Sequence, residues 1–316
     1  MLKKTITLLS FLLLAMTFSL GQISPASALE AGDIVIQVKP ADQEVDLAPG
    51  QVVKSKITIQ NIGRLPFTFT VSTRPYQVLN ENYDPDFSTE NSYTNLHNWI
   101  SFPESTFHLE PGAEQDVPFV ITVPDDVPGG GQYAAIIAET RDSMSEDAGV
   151  RIISQLASLI YAHVSGEEHI GGVLMGHSLP SFLLGSPFTA TATVKNDGNV
   201  DFRVTHTLNI RDFFTNREVL TETSVDENGK YLAHTNPIVL PETQRSNAIT
   251  WDGAPQLGVF KVTQTISFLD QTYTYDQVVI FCPIWLAGAV AFFIFLIILW
   301  VILRLRSRKR RRPQVF

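Results

Sequence analysis

Through most of residues 34–281, apolar side chains recur at every second position, and that period leaves the chain little choice but strands. Ile34, Ile36 and Val38 alternate with Val35 and Gln37. Val53, Ile57 and Ile59 alternate with Lys54, Lys56 and Thr58, and Phe67, Phe69 and Val71 with Thr68, Thr70 and Ser72. A period of two puts one set of side chains on a buried face and the other in water, as in an antiparallel sheet. Turn signals punctuate the runs: Pro49-Gly50, Asn61-Ile62-Gly63, Arg64-Leu65-Pro66 and Pro111-Gly112. Short strands so punctuated predict sandwiches rather than a parallel sheet with crossover helices.

The second half repeats the theme. Phe188, Ala190, Ala192 and Val194 alternate with threonines, the turn Asn196-Asp197-Gly198 follows, and a new strand runs over 202–210. The first half has the same order around Asn61-Ile62-Gly63, so one supersecondary unit is used twice. A final hairpin is expected over 260–268 and 272–280, joined near Asp270-Gln271. Two segments are harder to place. Residues 151–164 (RIISQLASLIYAHV) read as the closing strand of the first half, with a helix as the competing assignment. Residues 77–98 are polar and long for a connection inside a compact domain, and residues 140–149 form a short charged loop.

The ends of the chain fix its setting. Residues 283–303 carry no charge, and seven basic residues follow: Arg304, Arg306, Arg308, Lys309, Arg310, Arg311 and Arg312. An uncharged run of about 20 residues crosses a bilayer as a helix, and the cationic cluster orients that end to the cytoplasm. Lys3 and Lys4, an apolar run and Ala26-Ser27-Ala28 read as a signal peptide over 1–28. Expected in between are domains at 29–166 and 167–281. Of the 23 Lys and Arg residues, two lie in the leader and seven in the tail, which leaves 14 against 32 acids in the ectodomain, a charge of about −18. A surface this acidic excludes nucleic acid as a partner and charge-driven adsorption to anionic lipid or wall polymer. The single cysteine, Cys282, leaves the ectodomain without disulfides, so its cores must hold it.

Together these features resemble a family. The quoted marks are L-x-P-G from Leu47 to Gly50, N-W-I-S-F from Asn98 to Phe102 and L-E-P-G from Leu109 to Gly112. After them come a strand end from Ile121 to Pro124 and P-G-G-G-Q-Y-A-A-I-I from Pro128 to Ile137. With the signal, the second strand-rich domain, the single span and the basic tail, the chain resembles the WxL-interacting proteins of Gram-positive bacteria. The resemblance implies two immunoglobulin-like β-sandwich domains, peptidoglycan bound through the first and a protein partner through the second.

The residues themselves point to a binding or scaffold protein and away from an enzyme. Gly176-His177-Ser178-Leu179-Pro180 lacks the final glycine of a nucleophile elbow. Leu240-Pro241-Glu242-Thr243-Gln244 differs from a sortase signal at its last position and is followed by dozens of residues of domain. The seven histidines show no zinc spacing. Asp84-Pro85-Asp86 and Asp226–Gly229 have turn compositions without a full calcium-loop pattern. No cofactor is called for. The partner is expected to be a cell-wall polymer or a surface protein, met at loops or strand edges. Tyr76, Tyr83, Phe87 and Tyr93, on or beside the 77–98 segment, are either the contact surface for that partner or part of a structured flap over the first domain. A subunit role in an envelope complex, with Ala287-Gly288-Ala289 packing on another helix, and a wall hydrolase are the alternatives.

Overall fold

A computed structural model describes residues 34–141 and 153–310. The expected leader, most of the 140–149 loop, and Arg311 and Arg312 lie outside the described residues. The first half comprises β1 (Ile36–Lys39), β2 (Asp42–Leu47), β3 (Val52–Asn61), β4 (Phe67–Pro75), β5 (Gln77–Val78) and β6 (Pro85–Asp86). It continues through α1 (Leu96–Trp99), β7 (Ile100–Ser101), β8 (Thr106–Leu109), β9 (Glu114–Thr122), β10 (Gly130–Arg141) and β11 (Gln155–Val164). The second half runs through β12 (Gly172–Ser178), β13 (Phe182–Leu183), β14 (Phe188–Asn196), β15 (Phe202–Asp212) and β16 (Glu218–Leu220). It closes with β17 (His234–Thr235), β18 (Ile238–Val239), β19 (Gln244–Trp251), β20 (Gly258–Phe268) and β21 (Gln271–Phe281), and then α2 (Ile284–Arg310).

Each half is a two-sheet sandwich. In the first, β1-β3-β9-β7 faces β2-β11-β10-β4-β8. Their inner residues, among them Ile57, Ile59, Phe69, Phe119, Ile136 and Ile160, form one core. In the second, β12-β14-β19 faces β13-β21-β20-β15-β16. Its core has a cluster around Phe188, Leu208, Phe260 and Phe281 and another around Val194, Phe202, Ile266 and Phe268. Full burial of each large apolar side chain contributes about 1.5–3 kcal/mol. Trp99 and Trp251, half-buried, pack on these cores as anchors.

The alternation on β3, β4, β14 and β15 matches their burial residue by residue. Two edge pairs depart from the antiparallel expectation. β2 runs parallel to β11, and β13 runs parallel to β21. The reason lies at Pro40 and after Ser178: the chain leaves one sheet and re-enters on the edge of the other, a step that side-chain alternation does not encode. Residues 155–164 form β11, a strand. Ser158, Ile160, Ala162 and Val164 face the first core, while Ala157, Leu159 and Tyr161 pack on a second cluster. A strand covered on both faces loses its alternation, which is why its sequence competes with a helix.

The repeated unit is closed by a repeated side chain. Asn61 Nδ2 donates to the carbonyls of Leu65 (2.9 Å) and Leu109 (3.2 Å), and Asn61 Oδ1 accepts from the Gly63 amide (3.0 Å). Asn196 Nδ2 donates to Val200 (2.8 Å) and Val239 (2.9 Å), and its Oδ1 accepts from Gly198 (2.8 Å). The bend that follows each paired carbonyl has a left-handed residue, Gly112 at φ 78° in the first half and Glu242 at φ 58° in the second.

Candidate functional site

The junction between the halves concentrates the chemistry of this molecule. The 77–98 segment is a flap built on the β5–β6 hairpin, with Gln77 opposite Asp86 and Val78 opposite Pro85. Its tip closes through the Tyr83 amide donating to Asn80 (3.1 Å), and Tyr83 takes a left-handed φ of 64°. The Asn and Asp residues that make the segment look like a loop serve as turn formers. Asp86 accepts from the Ser88 hydroxyl (2.6 Å) and amide (2.9 Å) and from Gln77 Nε2 (2.8 Å). These donors, the Ser88 hydroxyl first, hold its carboxyl far below the usual carboxylate range.

All four aromatic candidates lie in this junction and are packed as a flap. Tyr76 is buried, and Tyr83, Phe87 and Tyr93 pack around it with Tyr133, Ile137 and Tyr161 of the first half and with Ile238 and Leu240 of the second. Tyr76 meets Tyr161 edge-on at 6.0 Å, and Phe87 lies 5.9 Å from Tyr76. Tyr83 reaches across. Its hydroxyl accepts from the Leu240 amide (2.7 Å) and sits 2.8 Å from Thr243 Oγ1, which itself donates to the Leu240 carbonyl (2.8 Å). Arg245 covers the Tyr83 ring at 4.0 Å. Burial pushes the Tyr83 hydroxyl up to about 12, so it stays neutral and able to donate. Tyr93 Oη donates to Glu242 (3.2 Å). The L-P-E-T-Q sequence is therefore the turn of the second sandwich that receives the flap.

A second seam runs beside the flap. The Gly131 amide donates to the Asn199 carbonyl (2.8 Å), and Asn199 Nδ2 donates to the carbonyls of Gly129 (3.2 Å) and Glu167 (2.9 Å). Gly129 lies so close to the backbone of Gly166 that a Cβ there would come within 2.6 Å of its Cα. The glycine run thus lets two main chains cross and does more than turn the chain into β10. Tyr133, buried with its hydroxyl pushed far up, donates to Asp201 (2.7 Å). Asp201 in turn is raised by burial. Arg203 pairs with Glu44 on the exposed margin.

Other motifs have local roles. Asp226 Oδ1 accepts from the Asn228 (2.8 Å) and Lys230 (2.9 Å) amides in a turn. His177 stacks on Tyr275 at 3.5 Å on the edge strand β12. Among the described residues, no three His, Cys, Asp or Glu side chains are grouped so as to hold a metal ion. Sequence reasoning missed Gln132, whose side chain donates to Ser92 (2.8 Å) and accepts from the Asn95 amide (3.0 Å) to fasten the flap. It also missed His206, fully buried against Gln264 and Asn247. Neither residue carries a motif that would mark it.

At the other end, β21 passes through Cys282 and Pro283 into α2. Its segment Ile284–Arg304 has 21 residues at a mean hydropathy of 3.0, which makes it long and apolar enough to cross a membrane. Arg306, Arg308, Lys309 and Arg310 continue the same helix.

No protein-family model matches the chain, and no curated protein matches it. Among solved structures it is similar to the class 5 fimbriae chaperone CfaA, at 11% identity over 78% of this chain and 99% of that one, with a TM-score of 0.37. It is similar at 11% identity to a chain of the CsuC-CsuE chaperone-tip adhesion subunit pre-assembly complex of Acinetobacter baumannii, covering 77% of this chain and 98% of that one, with a TM-score of 0.38. The E. coli chaperone DraB gives 10% identity, 77% and 98% coverage and a TM-score of 0.36.

Proposed function

We propose that this protein is a non-enzymatic scaffold of the bacterial cell surface, with two immunoglobulin-like sandwiches held outside the membrane by α2 and the basic tail inside. In this reading it belongs with the WxL-interacting proteins and presents its first sandwich to a cell-wall polymer or another surface protein. The observation that supports the reading is mechanical continuity. The flap and the glycine seam join the first sandwich to one end of the second, and only Cys282 and Pro283 separate the other end from the apolar helix. The 11 residues of β20 span about 35 Å between those ends. A fixed spacer removes translational freedom and raises the effective concentration of weak contacts at the wall.

The test uses the full chain in nanodiscs, sedimented with purified peptidoglycan and, separately, cross-linked in cell envelopes. Saturable capture by the wall or a single dominant cross-linked protein is expected. Release of soluble wall fragments would overturn the non-enzymatic reading, and no capture by either would overturn the scaffold reading. Protease added to intact cells is expected to remove both sandwiches and leave α2.

A further inference from the structure

The second sandwich has two unlike ends. The end that receives the flap is covered by the first half and hydrogen-bonded to it. The opposite end, next to α2, carries large apolar side chains that cover nothing. Phe214 is 79% exposed, Leu257 59%, Leu184 51% and Phe213 50%. They come from three separate segments, and strand register brings them to one edge. The Phe213 amide donates to the Val259 carbonyl, and Val259 pairs with Ile280. Gly258, the residue after Leu257, pairs with Phe281. The Cys282 amide donates to the Leu183 carbonyl, which sets Leu184 at the same level. All therefore lie at the levels of residues 280 to 282, two to four residues before α2 begins at Ile284.

The hairpin tip that carries the two phenylalanines is held in shape. Asp212 Oδ1 accepts from the Phe214 amide (3.0 Å), the Thr215 amide (2.8 Å) and the Thr215 hydroxyl (2.8 Å), and Asn216 takes φ 55°. The two rings meet edge-on at 5.3 Å. Such a tip keeps Phe214 pointed away from the sandwich instead of letting it fold back on the core. Two residues further up the strands, Arg211 and Lys261 are register partners and line a shallow groove. Arg211 is also paired with Glu218 at 2.7 Å.

From this arrangement, and resting on the reading of α2 as a membrane span, we propose that the helix-proximal rim of the second sandwich is a lipid contact. Phe213, Phe214, Leu257 and Leu184 sit at the interfacial zone of the outer leaflet, with Arg211 and Lys261 above them on the water side. Magnitudes agree. A 21-residue helix is about 32 Å long, which fills roughly 30 Å of hydrocarbon and starts it near Ile284. The headgroup zone is about 5–7 Å deep on each side. Two extended residues, Cys282 and Pro283, cover about 7 Å. The rim levels therefore lie at most about 7–13 Å from Ile284, at the outer edge of that zone. Aromatic side chains favour it, and Trp285, 67% exposed at the start of α2, belongs to the same belt. The ectodomain is acidic, so the contact is driven by apolar burial rather than by charge. Its consequence is orientation: one helix alone would let the sandwiches swing, and a second contact holds them upright.

The test is made on the full chain with Cys282→Ser, which removes the one native thiol. Phe214→Cys is labelled with an environment-sensitive nitrobenzoxadiazole and reconstituted in phosphatidylcholine nanodiscs. Glu104→Cys, on the first sandwich, is the water reference. The expected result is a blue-shifted emission for the Phe214→Cys label, quenching by doxyl-labelled lipid, and a several-fold smaller quenching by iodide than at Glu104→Cys. Leu257→Cys reads the same surface if Phe214→Cys does not fold. A label quenched freely by iodide and untouched by doxyl lipid, on a chain that resists carbonate extraction, overturns the lipid contact and leaves the span intact. Shielding from iodide without doxyl quenching assigns the rim to a protein contact and also overturns it. A chain extracted by carbonate overturns the span, and the rim contact with it.

Discussion

Single residues decide whether the two halves act as one body. Gly130 has φ 123°, and a Cβ there would lie 2.7 Å from the Asn199 carbonyl oxygen. Gly130→Ala should cost about 1–3 kcal/mol from backbone strain alone and should push Asn199 away. The expected outcome is loss of the seam, seen as one thermal transition splitting into two in scanning calorimetry. Asn61 and Asn196 make a matched pair of tests. Each side chain satisfies two buried carbonyls and one amide, so alanine at either leaves several groups unpaired and should destabilise its own half by about 3 kcal/mol. Denaturant titration should show similar losses for both, and a near-zero effect at either would remove the repeat as a structural unit. These asparagines were readable as turn residues because Asn-x-Gly is a local signal. That their side chains tie carbonyls 43 and 48 residues away was not readable.

At the scale of elements, the flap and β10 explain each other. β10 is buried over nearly its whole length. Ala134, Ile136 and Ala138 face the first core, while Tyr133, Ala135 and Ile137 face the flap. The P-G-G-G-Q-Y-A-A-I-I run was legible as a strand with a glycine entry, but its second buried face depends on residues 77–98 and on the other half. Tyr83→Phe keeps the ring and removes the acceptor of the Leu240 amide. It should cost about 1–2 kcal/mol and speed hydrogen exchange at Leu240 specifically. Asp86 gives the flap an acid limit. Its carboxyl is held below the ordinary value of 3.8 by the Ser88 hydroxyl first and then by Gln77. A depressed folded value means that the stabilisation is present above about pH 4 and is lost as pH falls through the folded value. The flap should open before the sandwiches unfold as pH drops below 4, and Asp86→Asn should remove that early step in proteolysis at acid pH.

The whole molecule is a chain of contacts from the first sandwich to α2, and one buried histidine adds to its pH response. His206 is held neutral because burial lowers its value from 6.5, and it sits 2.9 Å from Gln264 Nε2. The unfolded chain takes up a proton below about pH 6.5 and the folded one resists it. Stability is therefore full above that pH and declines as pH falls, by at most about 1.4 kcal/mol per unit. Urea titrations between pH 7 and pH 5 should show the decline, and His206→Asn should flatten it. An unchanged slope in that variant would place the proton uptake elsewhere.

The sequence alone determined what is local. It set the strands with one wet face, the turns between them, the last hairpin and the uncharged run that becomes α2, because alternation, turn chemistry and hydropathy act over a few residues. Tertiary structure decided everything that depends on a partner distant in the chain. It assigned the parallel edges of β2 and β13, the double burial of β10 and β11, and the place of Tyr76, Tyr83, Phe87 and Tyr93. The physical reason is that a tyrosine awaiting a partner protein and a tyrosine packed against the other half of its own chain have the same sequence signature. Only contacts between segments far apart in the chain, such as Tyr83 on Leu240 and Thr243, distinguish them.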